Sequence, residues 1–412
     1  MIEATHYKDT FEASFGPTTG TEPKSNPRAL AFSSFLEKGL PHKRLEDWRY
    51  SDVKALNKSL FTAADANPKV DVPDPITNWP RLMFINGTLV EDASPLPKGI
   101  TIAALSIDGQ PSKSSDALSD MNLAFAQGGF SITVKSQIDA GGIEVLNIFT
   151  GTADEASHVR NTITLEAGAK LELLQHVKAL GDLGLATLEN HITLGAEATL
   201  THYQDLNGMS TGFINVHDHI ATHQGQYNHY SLLSNAIAAR HTLSVDILEP
   251  GSDVNLNGAF LAKKGEVLDT LTRINHLVPE ATSNQVFKNI VGAGGQSSFQ
   301  GRVLVEKDAQ KTLADQSCKN LLLDRTAEAN VKPELLIFAD DVKCSHGATI
   351  GELDDNALFY MMQRGIPKGE ARGILVRAFL SEAFKTIEND LVLAHMEQQV
   401  DHWMSQQLGH NA

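Results

Sequence analysis

Two residues in the C-terminal third carry the clearest chemistry. In DDVKCSHGATIG, Cys344 and His346 stand two apart in a polar, turn-rich setting. On a strand, residues i and i+2 share a face, so a thiolate and an imidazole would project together, and both donors suit iron or zinc. Asp340 and Asp341 precede them and read as turn residues. The other cysteine, Cys318, is followed by KNLLLD and reads as a small core residue. The two thiols are 26 residues apart, close to one unit of the repeat described below. They are therefore expected on neighbouring coils, although DRTAEANVKPE between them loosens that inference.

A second group, His217, His219, His223 and His229, lies in NVHDHIATHQGQYNHY. His217 and His219 could grip a metal from one strand face. The plainer reading is a polar outer face, because Gly225 argues against one continuous strand. GAGGQSS (292–298) lacks a lysine and opens no helix, so it reads as a turn rather than a phosphate cradle. The sequence contains no Walker A loop or HExxH, and no GxGxxG following a strand.

Composition narrows the function classes. The chain has 412 residues and a formal net charge of −16, which disfavours a nucleic-acid partner. Hydrophobic residues make up 42% and charged residues 20%, enough for a sizeable core. Aromatics are only 6%, so that core must rest on Leu, Ile, Val and Ala. Two cysteines exclude a disulfide scaffold and a self-contained four-cysteine zinc site. MIEATHYKDTFEASFG has neither a basic n-region nor an apolar h-region, and no run approaches 18 apolar residues. A cytoplasmic protein with no membrane partner is expected.

The elements that must position these residues fall into three regions. Residues 1–80 read as a helical region and linker. Within it, 16–28 is a breaker-rich loop and Ala29–Lys38 a short helix closed by Gly39. A second helical stretch is expected within 41–60, with Ser51 or Asp52 as its cap, followed by a linker bearing Pro68, Pro73, Pro75 and Pro80. Residues 81–355 change period. LMFING reads as a strand entering an Asn86-Gly87 turn. Thereafter TITLEAGAKLEL, HITLGAEATLTH, VDILEPGSDVNL and VLVEKDAQKTLA repeat one theme of strand, tight turn and strand. Their turn residues Gly168, Gly195, Gly251 and Asp308 are spaced 27, 56 and 57 apart, multiples of about 28.

That repeat implies a mainly β fold with a right-handed parallel β-helix core, Gly168, Gly195, Gly251 and Asp308 marking one corner. The competing architecture is an antiparallel sandwich. Residues 356–412 return to helix after Gly365 and Pro367, with Ile374, Ala378, Phe379, Glu382, Ala383, Ile387 and Leu391 at helical spacing. Helices at both ends would cap the solenoid or dock partners, and Lys368–Leu408 is expected to carry an apolar face beyond what capping needs.

KPELLIFADDVKCSHGATIGELD and LFYMMQRGI, with LPHKRLEDWRYSDVKAL near the N-terminus, resemble the SufB/SufD family of iron–sulfur cluster assembly proteins. The chain is shorter and poorer in cysteine than SufB-type members and is more similar to the SufD type. The resemblance implies a scaffold subunit rather than an enzyme. Its partners would be a SufB-like paralogue, a SufC-like ATPase docking on the C-terminal helices and, indirectly, a cysteine desulfurase system, with self-pairing when isolated. It also implies a transient iron–sulfur cluster or iron at the partner interface, near Cys344 and His346, and none firmly held by the isolated chain. The alternative is a β-helix polysaccharide hydrolase or lyase using Asp340 and Asp341. That fits poorly, because adjacent strand residues point to opposite faces, whereas inverting hydrolysis needs two carboxyls about 6.5–9.5 Å apart across one site.

Overall fold

The computed structural model describes residues 4–15, 26–51, 53, 56, 60–66, 68–91, 95–105, 107, 116–207 and 212–408. The strands begin with β1 (Thr62–Ala63), β2 (Arg81–Ile85), β3 (Thr88–Glu91), β4 (Ile100–Ala104), β5 (Phe130–Val134) and β6 (Asp139–Gly151). Next come β7 (Glu155–Leu165), β8 (Lys170–Gly181), β9 (Leu185–Leu194), β10 (Thr199–Asn207), β11 (Phe213–His223), β12 (Gln226–Ser234) and β13 (Ala238–Glu249). The series ends with β14 (Asp253–Ala262), β15 (Val267–His276), β16 (Thr282–Val291), β17 (Gln296–Val305), β18 (Leu313–Leu322), β19 (Glu328–Ile337) and β20 (Lys343–Glu352). The helices are α1 (Lys8–Phe15), α2 (Pro27–Lys38), α3 (Ala117–Phe125), α4 (Asp355–Gln363), α5 (Lys368–Phe384) and α6 (Asp390–Leu408).

From β5 onward, odd strands stack into sheet A and even strands into sheet B, and from β7 each strand is parallel to the one two places before it, while β6 pairs with β2. The chain is therefore a parallel β-helix with two strands per coil, not a sandwich. Its start is closed by antiparallel pairs, β3 on β2 and β4 on β5. The β2–β3 turn uses Asn86 (φ 46°) and Gly87 (φ 85°), the left-handed pair a tight hairpin requires.

Gly168, Gly195, Gly251 and Asp308 all lie at the corner joining sheet A to sheet B. What recurs there is a backbone state rather than a glycine. Gln137, Gly168, Glu197, Gln224, Gly251, Glu280 and Lys311 form a column of residues with positive φ, one per coil. The N–H of Gly168 donates to Ala196 O, Glu197 to Gln224 O and Gly251 to Glu280 O, so each corner is tied to the next. This offsets the strain of the non-glycine members. GAGGQSS is likewise a corner, with Gly294 at φ 65° between β16 and β17.

Alternate residues fill the space between the sheets. Leu188, Ile192, Leu194, Val216, Ile220, Leu243, Val245 and Ile274 from sheet A meet Leu173, Leu200, Leu256 and Phe260 from sheet B in one buried cluster. Truncating one such residue, Leu243→Ala for instance, would cost about 2–5 kcal/mol. The core rests mainly on Leu, Ile, Val and Ala, as expected, and the middle coils add buried polar groups. Asn161 donates to Asn190 at 2.8 Å, and Asn190 to Asp218 at 2.6 Å, forming a buried polar ladder.

The helices do not cap the ends. α2 and α3 pack on the outer face of sheet A, around Ala156, Leu185, Phe213 and Ala238. α5 and α6 cover the outer face of sheet B with Val376, Leu380, Phe384, Val392, Met396 and Trp403. α2 has Asn26 as its cap and Gly39 (φ 71°) at its end. A 3-10 turn spans Glu46–Trp48, and the helical stretch expected after Ser51 or Asp52 lies mostly outside the described residues, Asp52 among them. The loop 16–28 is described only from Asn26. The buried phase of α5 runs through Gly373, Val376, Leu380 and Ala383. Ile374 and Ala378 thus fall to the side and outside of the expected stripe. The residues at helical spacing misled because α5 is nearly as apolar on one side as on the other.

Candidate functional site

β20 places Cys344 and His346. In the preceding coil, Ala314, Gln316 and Cys318 of β18 point inward and are buried. The register sets Cys344 opposite Ala314, His346 opposite Gln316 and Ala348 opposite Cys318. Cys344 and His346 thus lie on the face that continues the coil interior. No further coil covers them, and among the described residues β19 and β20 are the last strands of their sheets. His346 is exposed; Cys344 is half-buried against the cluster of Val303, Val305, Ala309, Ala314 and Ala339.

Burial pushes the Cys344 thiol up, and the nearby Asp315 carboxylate adds to this, while a backbone hydrogen bond at Ala314 opposes it. On its own the side chain is a thiol, and binding metal would release its proton. Two donors from one chain leave a tetrahedral site half-filled. Cys318 is on the neighbouring coil, as its spacing suggested, but four residues along the strand from Cys344's partner position, or about 13 Å at strand rise. It sits beside Asn289 and Asn320 in the core, and burial raises its pKa to about 12.

The rim of this open end is apolar. Leu336, Ile337 and Phe338 at the end of β19, and Ile350 on β20, are exposed, Phe338 to 61%. The N–H of Lys343 donates inward to Thr312 O, so alternate N–H groups on β20 face outward along an unpaired edge. Beyond it, α4 has no buried residue and exposes Phe359, Tyr360 and Met362. The exposed apolar surface expected across Lys368–Leu408 is therefore centred on α4; within that range, Leu391 is the large apolar residue left exposed. Asp340 and Asp341 are exposed in the bend before β20, where Asp341 O accepts from Lys311 N. They shape a corner, not a catalytic wall.

The four histidines do not form one group. His217 and His219 lie on the outer face of sheet A and His223 ends β11 at a bulge, whereas His229 lies inside the coil. Inside, Asp218 accepts from His241 at 2.9 Å and from Gln204 at 3.2 Å, while His229 meets Gln204 at 2.9 Å. Burial alone would raise the Asp218 pKa, but the His241 hydrogen bond and the surrounding imidazoles hold it well below the usual carboxylate range. On the outer face, the neighbouring strand supplies Glu189 and His191 beside His217 and His219. Sequence reading missed both. Yet 217 − 189 and 219 − 191 each equal 28, the repeat length itself, and that signal could have found them.

Comparison with known proteins places most of the coil, its last strand included, within one family match. The family model of the SUF system FeS cluster assembly SufBD core domain matches residues 148–379. The chain is 30% identical over 89% of its length, and 90% of the relative's, to iron–sulfur cluster assembly protein SufD of Escherichia coli (strain K12). It is 29% identical to an iron–sulfur cluster assembly SufBD family protein of Synechocystis, covering 84% of each chain. It is 26% identical to the chloroplastic protein ABCI7 of Arabidopsis thaliana, covering 89% of this chain and 83% of the relative. The chain belongs to the SufBD family, and within it is a SufD-like iron–sulfur cluster assembly protein. Nothing in the geometry or the comparisons supports a polysaccharide hydrolase. No described helix is long and apolar enough to cross a membrane.

Proposed function

We propose that this chain is the non-ATPase scaffold subunit of a cytoplasmic assembly in which its open coil pairs with a SufB-type paralogue. Cys344 and His346 then face the junction and hold iron or a nascent cluster as cargo, completed by donors from the partner. A SufC-type ATPase docks on the C-terminal helices, and sulfur arrives from a cysteine desulfurase outside the chain. The observation that carries this reading is the uncapped end. It offers an unpaired strand edge, an apolar rim and a thiol–imidazole pair on an interior face left uncovered among the described residues. Unpaired edges are templates for another chain, and strand addition satisfies them. A mixed Cys/His site shared between chains binds more weakly than four thiolates in one chain, which suits a cluster that must leave.

The test is reconstitution with SufB-type and SufC-type partners. Cys344→Ala and His346→Ala should each lower cluster yield while the subunits still co-purify. Full yield from both variants removes the chemical role and leaves a structural subunit. For the ATPase, Phe359→Ser with Tyr360→Ser is the cleaner probe, because deleting 368–412 would strip the cover from sheet B. Undiminished ATPase capture by that variant rejects α4 as the docking helix.

A further inference from the structure

The outer face of sheet A carries a feature that neither the open end nor cluster assembly explains. β9 and β11 run parallel in register, with Glu189 opposite His217 and His191 opposite His219. Residues two apart share a face, so these four side chains form a square of adjacent positions. Their intervening neighbours, Asn190 and Asp218, point the other way into the polar ladder. We propose that Glu189, His191 and His219 form a binding site for a divalent first-row transition ion, separate from Cys344 and His346.

The donor atoms already converge. His219 Nε2 is 2.6 Å from Glu189 Oε2, and His191 Nε2 is 3.9 Å from the same oxygen. All three ligand atoms lie within 4.8 Å of one another. The imidazoles of His191 and His219 stack 4.5 Å apart with their planes 8° from parallel. Closing on an ion needs them to tilt about χ2, a soft torsion. The Glu189 carboxylate is fully buried, and among the described residues its ion-pair partners are the three imidazoles. His191 Nε2 is buried with no hydrogen-bond partner, an unmet polar atom beside that carboxylate. A bound ion would satisfy it.

His217 belongs to the surround. Its Nδ1 lies 3.1 Å from Ser119 Oγ and its Nε2 2.9 Å from Ser244 Oγ, so both nitrogens are engaged. Ser119 Oγ, on α3, also donates to Glu189 Oε1 at 2.7 Å and fixes the carboxylate. Such outer contacts set the orientation of metal ligands. The site opens on a cavity of about 530 Å³ bordered by Arg160 and Arg273. Coordination positions left open there would take water or a small anion beside the arginines. Two imidazoles and one carboxylate with open positions are the donor set of Fe2+ and Zn2+ sites.

The experiment uses the untagged full-length chain, stripped with chelator, titrated anaerobically with Fe2+, with Zn2+ and with Co2+ as an optical probe. Every titration is repeated in the Cys344→Ala/His346→Ala background, so that failure here is distinguishable from failure of the open-end reading. The expected result is one ion per chain in both backgrounds, with Co2+ bands that lack thiolate charge transfer. Glu189→Gln and His219→Ala should each weaken binding at least about tenfold with the circular dichroism unchanged. Glu189→Gln keeps shape and volume, so it guards against a folding artefact of the histidine change. Absence of stoichiometric binding overturns the site, as does binding that survives both changes or disappears only with Cys344. Preference between Fe2+ and Zn2+ identifies the ion.

Discussion

His346 lies opposite Gln316 across the last rung of sheet B, and Gln316 is buried with both atoms of its side-chain amide unpaired. β20 lies over this position and leaves the amide enclosed but unbonded. Among the described residues no rung lies beyond β20, so His346 is left exposed directly over this unmet amide. Gln316→Met keeps the volume and removes the unmet groups. The isolated chain should therefore melt at an equal or higher temperature, since each unmet buried group costs about 1–3 kcal/mol. Cluster yield in the reconstituted assembly should fall. A variant that melts lower and assembles clusters normally would show the amide to be ordinary packing.

The apolar rim gives a second expectation. Ile350→Lys with Leu336→Lys places charge on two exposed positions of the open end. Exposed substitutions of this kind change folding stability by only about 0.5 kcal/mol, whereas charge on a strand edge blocks pairing with another chain. The variant should remain folded by thermal melting yet lose capture of a SufB-type partner. Retained capture places the interface elsewhere.

The two thiols should separate by reactivity. Cys344 is half-buried at the open end, while Cys318 is enclosed with its pKa raised to about 12. Both shifts are upward, so labelling by iodoacetamide should be slow at neutral pH and accelerate as pH rises. Peptide mass mapping should find Cys344 modified in the native chain and Cys318 modified only after denaturation. Equal labelling of both would contradict the buried position of Cys318.

Much of this architecture was legible because a β-helix writes its period into the chain. The spacing of Gly168, Gly195 and Gly251 gave the coil length, and the Cys344-x-His346 alternation gave a shared face. The lateral neighbours were harder. Glu189 and His191 meet His217 and His219 only through the register of parallel strands, and register emerges when coils stack. The role of the helices was misread for a related reason. An apolar stripe says that a helix must be covered, but not whether the cover is a solenoid end or a sheet flank. The LEDWRY segment was recognisable as a pattern, yet its purpose lies in contacts almost two hundred residues away.

Those contacts carry the fourth prediction. The Arg240 guanidinium is fully buried 4.1 Å from the Trp48 ring and pairs with Asp269 at 2.6 Å. It also donates to Asp47 O at 2.5 Å and Ser51 Oγ at 3.0 Å, fastening the N-terminal segment to β13 and β15. Removing one partner of a buried pair strands the other charge, at a cost of about 3–5 kcal/mol. Asp269→Ala should therefore destabilise strongly and expose the N-terminal segment to protease. Asp246→Ala, an exposed control on the same sheet, should stay within about 0.5 kcal/mol. Equal melting temperatures for the two variants would dismiss the latch.

The last prediction concerns pH. Glu266 lies in the turn before β15 with a side chain only 3% exposed. Burial pushes its pKa from 4.5 to about 7, opposed by the backbone N–H of Lys263 at 2.9 Å and by the Lys263 ammonium. Between those two values the folded chain holds a proton that the unfolded chain has released. Stability from this group is thus fully present below about pH 4.5 and declines as pH rises towards 7. Above 7 the buried carboxylate costs up to about 3 kcal/mol, at roughly 1.36 kcal/mol per pKa unit. Glu266→Gln keeps an oxygen for the Lys263 N–H and removes the titration. The variant should match the parent near pH 5 and melt higher than it at pH 8. An identical pH dependence in parent and variant would show that Glu266 is not the group that titrates.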